Sequence, residues 1–140
     1  MGEYDDIRFF NDAEVEIALQ SAVRHPMIKT LFEFTFPDKT DAQIKDIVLS
    51  CKSINDFQRN VISVTVERIL EDTSAGLTTS GFEKLDPSQS YLYMSNHRDI
   101  VLDTCLINLT LFKHNLIRTA SAVGDNLVER PFVNALSKLT

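Results

Sequence analysis

Apolar side chains recur at helical spacing through the first half of the chain. Behind a cap at Asn11 or Asp12, a helix over 13–24 would carry Val15, Leu19, Ala22 and Val23 on one stripe. His25-Pro26 interrupts that pattern, because a residue before proline avoids the helical region while proline suits a first helical turn. A second helix over 27–36 would bury Ile28, Leu31, Phe32 and Phe34 before Pro37-Asp38 stops it. Thr40 and Gln43 have the spacing of a capping box, so a third helix over 41–50 follows, with Ile44, Ile47, Val48 and Cys51 inward. Ser53 or Asn55 opens a longer fourth helix to about Glu71, with Phe57, Val61, Val64 and Ile69 among its buried residues. The β-branched run Val61 to Val66 leaves a strand as the alternative there.

Residues 72–90 change to Thr, Ser, Gly, Asp and Pro, which is loop chemistry and the internal boundary. Beyond it the pattern reads strand 91–94, helix 100–112 and strand 117–123, a βαβ signature. Gly124-Asp125-Asn126 ends the second strand, and 131–136 forms a short amphipathic helix starting on proline. The expected fold is therefore α/β: a helical region over 1–85, then the first βαβ part of an α/β domain over 86–140. Two parallel strands make a poor sheet, so the chain reads as the front portion of a longer protein.

A chain of 140 residues can bury a core without a disulfide or metal staple. Cys51 and Cys105 have no zinc-type spacing and read as buried thiols in a reducing compartment. Net charge is −6, all of it in residues 1–85, with 9 Lys+Arg against 15 Asp+Glu; residues 86–140 balance at 5 against 5. That acidity opposes a nucleic-acid groove. No apolar run approaches the roughly 20 residues of a membrane span, and the acidic start does not resemble a signal peptide, so a cytoplasmic location is expected.

Candidate chemistry gathers at Ser95-Asn96-His97-Arg98-Asp99, where an apolar stretch ends, with Asp103 following. A histidine held by a carboxylate is a general base for a hydroxyl or thiol; Asp99 at +2 and Asp103 at +6 are the carboxylates available to His97. Arg98 offers a bidentate fork for phosphate. No Ser or Cys stands in a nucleophile-elbow context, so the attacking group is a substrate hydroxyl. The bland alternative is a histidine beside an Asp99 that merely caps the next helix. A protein-kinase catalytic loop is rejected because Thr104 stands where the metal-binding Asn would be and no Gly-rich phosphate loop precedes it. No metal site is expected: His114 reads as a helix-end cation and His25 as a turn residue.

Residues 95–103, SNHRDIVLD, resemble the first block of the glycerolipid acyltransferases, the glycerol-3-phosphate and lysophosphatidate acyltransferase superfamily, in a bacterial spelling. Residues 122–127 and 131–136 resemble the stretch leading into that family's second block. The resemblance covers about 90–140 well and the front end more loosely. It implies that His97 deprotonates a hydroxyl of glycerol-3-phosphate or its 1-acyl derivative, which attacks the thioester of an acyl-CoA or acyl carrier protein. It implies no cofactor, substrate contacts from Asn96, Arg98, Gly124, Asp125 and Asn126, and a peripheral contact with the cytoplasmic face of a membrane. The family spacing is H-x-x-x-x-D, whereas Leu102 stands at +5 here, so the orienting carboxylate is Asp103 or Asp99, with Asp103 first. The family's arginine-bearing phosphate blocks would lie past Thr140, and the isolated chain is expected to be inactive or barely active. Phenylalanines 9, 10, 32, 34 and 36 could make an acyl or membrane contact, but read first as core. A non-catalytic helical interaction module is the alternative from a different class.

Overall fold

The computed structural model describes residues 8–96, 98–99 and 101–139, and every regular element among them is a helix. In order these are α1 (Asp12–Ala22), α2 (Pro26–Thr35), α3 (Asp41–Ser50), α4 (Ile54–Phe57), α5 (Ser63–Thr73), α6 (Leu102–Lys113) and α7 (Pro131–Lys138). A π-helical turn, Gln58–Ile62, joins α4 to α5, and 3₁₀ turns lie at Phe82–Lys84 and Asp125–Leu127. The chain divides into two compact units, one running to Thr65 and resuming at Val123, the other spanning Val66–Ala122.

Local chemistry sets the ends of the first helices. Asn11 Oδ1 accepts from the Glu14 amide at 3.1 Å while Glu14 Oε2 accepts from the Asn11 amide at 2.9 Å, a reciprocal capping box. Arg8 clamps the same carboxylate with two bonds of 2.7 and 2.8 Å. Thr40 and Gln43 form the second box, at the position their spacing predicts. Proline opens both α2 and α7, where its missing amide hydrogen costs nothing.

The first unit's core collects the predicted stripes. Val15 and Leu19 of α1, Ile28 and Phe32 of α2, Ile44 and Val48 of α3, and Phe57 and Val61 of the α4–π segment form one buried cluster with Phe36, Cys51 and Leu139. Leu139 brings the end of the chain into this core, beside a 3.0 Å bond from the Phe10 amide to the Lys138 carbonyl. Phe34 was expected inside, yet it is 41 % exposed, because Ile28, Phe32 and Thr35 define the inward face and position 34 falls off it. Of the five phenylalanines weighed together, Phe32 and Phe36 are core, Phe10 packs against it, and Phe9 and Phe34 face outward.

Residues 61–66 are helical, not a strand. Their β-branched density is accommodated where the helix widens: Ser63 Oγ donates to the Gln58 carbonyl, five residues back, at 2.9 Å. Beside this, Thr35 and Thr65 place their hydroxyls 2.8 Å apart in the interior. Each hydroxyl also lies 2.8 Å from the carbonyl four residues before it, Leu31 or Val61. Two hydroxyl hydrogens thus serve three oxygen–oxygen contacts, so one is shared.

The expected α/β architecture is overturned: no strand occurs among the described residues, and no βαβ unit is present. Residues 91–94 and 117–123 lack the neighbouring strand that a ladder requires. Leu92 and Met94 are 86 % and 88 % exposed, and Ile117 and Val123 are also exposed. In the second unit a side chain takes over the part of a ladder. The Asn108 carboxamide, on α6, accepts from the Thr119 amide at 2.9 Å and donates to the Thr119 carbonyl at 3.2 Å.

The helix expected over 100–112 is α6, and it closes with a Schellman motif. Asn115 adopts φ +55°, the Leu116 amide reaches the Leu111 carbonyl at 2.9 Å, and the Asn115 amide reaches that of Phe112 at 3.1 Å. Lys113 at the same end pairs with Glu67 at 2.8 Å.

The Arg8 clamp, with the Asn11 amide behind it, holds the Glu14 carboxyl down from 4.5 to about 2. A depressed folded-state value stabilises the protein above pH 4.5, and that contribution disappears as pH falls towards 2. Thermal melts from pH 5 to pH 2 should therefore show a falling midpoint, and Glu14→Gln should flatten that fall while lowering the midpoint at neutral pH.

Candidate functional site

Asp99 and Asp103 divide the opening of α6 between them. The first amides of a helix have no partner inside it, and carboxylates are the strongest acceptors available to them. Asp99 Oδ1 accepts from the Val101 amide at 2.9 Å and the Leu102 amide at 2.7 Å. Asp103, within the first turn, folds back, and its Oδ2 accepts from the Arg98 amide at 2.7 Å and the Asp99 amide at 3.0 Å. The two acids thereby satisfy four amides along six residues of chain, next to the positive end of the α6 dipole.

The two acids bond different amides. Asp99 is the acid at the start of the helix, bonded to the amides of Val101, the N-cap residue, and Leu102. Asp103 is the acid bound to the amide of Arg98, whose nitrogen is covalently joined to the carbonyl of His97. His97 itself lies outside the described residues, as does the side chain of Asp125. Asn96 and Arg98 are exposed, so both side chains are open to a ligand. The polar turn is bracketed in the same unit by the exposed apolar side chains Leu92, Met94 and Val101.

The other predicted contacts, Gly124 and Asn126, belong to the first unit, where Gly124 opens a 3₁₀ turn closed by a 3.0 Å bond from the Leu127 amide to its carbonyl. A Cβ on Gly124 would lie 2.7 Å from Asn126 Oδ1, a contact that rotation of the asparagine relieves. His114 caps the end of α6 and stacks on Phe82, with centroids 5.4 Å apart. Among the described residues no cluster of three His, Cys, Asp or Glu side chains could hold a metal ion.

Both cysteines are free. Burial pushes the Cys105 thiol upward, and the Asp99 carboxylate adds to the shift by repelling a thiolate. Burial raises Cys51 likewise. Neither is an activated nucleophile, since the thiolate is the reactive form.

Sequence reasoning missed Asn108 and Asn115, which hold the two sides of the turn after α6. Asn115 was detectable in principle, because asparagine tolerates left-handed backbone better than other residues with a side chain. No family model, curated protein or solved structure matches this chain. No helix among the described residues is long and apolar enough to cross a membrane.

The cap assigns distinguishable effects to two substitutions. Asp99→Ala should destabilise the unit containing α6 by about 1 kcal/mol, whereas Asp99→Asn, which retains an acceptor oxygen, should be nearly neutral. Urea denaturation followed by circular dichroism at 222 nm measures both, and equal loss in the two variants would contradict the capping assignment.

Proposed function

We propose that the turn from Asn96 to Asp103 is the catalytic element of an acyltransferase, which moves a fatty acyl group from acyl-CoA or acyl carrier protein to a hydroxyl of glycerol-3-phosphate or its 1-acyl derivative. In this reading His97 takes the proton of the acceptor hydroxyl. The resulting alkoxide attacks the thioester carbonyl, the carbon–sulfur bond breaks, and the imidazolium returns its proton to the departing thiolate. Asp103 orients the imidazole and stabilises its charged form. Arg98 and Asn96 bind the acceptor's phosphate.

The supporting observation is the division of labour between the two acids. Asp99 is used by the helix, while Asp103 is anchored on the peptide that links His97 to Arg98. An exposed polar turn flanked by Leu92, Met94 and Val101 also suits a substrate with a polar head and an apolar chain. The reading carries with it a cytoplasmic enzyme in peripheral contact with a membrane. A non-catalytic helical interaction module is the competing reading, favoured by the helical character of every described element.

Acceptor-dependent thiol release decides between them. In a polypeptide containing residues 1–140, His97→Ala should lower the rate by about 10²–10⁴-fold. Asp103→Asn, which keeps an acceptor for the Arg98 amide but removes the charge, should lower it by at least about tenfold, and Asp99→Asn far less. Unchanged turnover in His97→Ala of a longer, active polypeptide that carries these residues favours the module; a larger loss in Asp99→Asn than in Asp103→Asn reverses the partner assignment.

A further inference from the structure

We draw no further inference here: the strongest candidate, the apolar pocket of the first unit between α1, α2, the α4–π segment and α7, carries nothing, because nothing in the structure shows what occupies it and the unpaired His25 Nδ1 beside it is closed to water.

Discussion

Four backbone amides at the opening of α6 depend on two carboxylates. Any helix start leaves amides without a partner inside it; here Asp99 serves that start and Asp103 serves the turn before it. Asp99 serves the amides after it and Asp103 those before it, so the described part of the segment folds back onto itself. The consequence for chemistry is a fixed polar turn with Asn96 and Arg98 in solvent. Two negative charges also stand together at a positive helix end, which makes their proximity tolerable. Burial raises the Cys105 thiol, further along the helix, and the Asp99 charge adds to that shift.

The first unit rests on a different principle, the alignment of several modest apolar stripes around one interior. Capping boxes at Asn11 and Thr40 set where α1 and α3 begin, and this fixes which side chains face inward. Val15 and Leu19 then meet Ile44 and Val48 across the interior, and Leu139 closes the cluster from the end of the chain. One hydroxyl pair, Thr35 and Thr65, is buried in the same unit with its hydrogens shared among three contacts. It is satisfied locally, so it costs little, and it gives α2 and the π-bulged helix a specific mutual register.

Helices were readable from the chain wherever a cap and a period agreed. Thr40 with Gln43 predicts α3 to the residue, and Pro131 predicts the start of α7. Strands were not, because a strand is a property of two segments and periodicity reports only one. Tyr91 to Met94 has the composition of a strand, yet Leu92 and Met94 stand in solvent with no neighbour to pair with. For Thr119, the pairing that a ladder would supply comes from the Asn108 side chain, eleven residues away, and no pattern of apolar positions announces that bond. The candidate site was legible as a list of residues but not as an assignment of roles. The resemblance puts Asp103 ahead of Asp99 as the partner of His97, and the hydrogen bonds at α6 show each acid accepting two backbone amides. His25 reads from its neighbour Pro26 as a turn residue, which it is; that its ring also lines an apolar pocket depends on Phe132, more than a hundred residues away.

The reversal of Asp103 onto the Arg98 amide is the feature from which the rest of the site is argued. Native-state hydrogen exchange of the Arg98 and Asp99 amides reads it directly, since an amide bonded to a carboxylate exchanges only when that bond opens. The account predicts slowed exchange at both positions, lost at both in Asp103→Ala while the amides of Val101 and Leu102 keep theirs. Exchange of Arg98 and Asp99 at the rate of an unstructured peptide in the unaltered protein would contradict it.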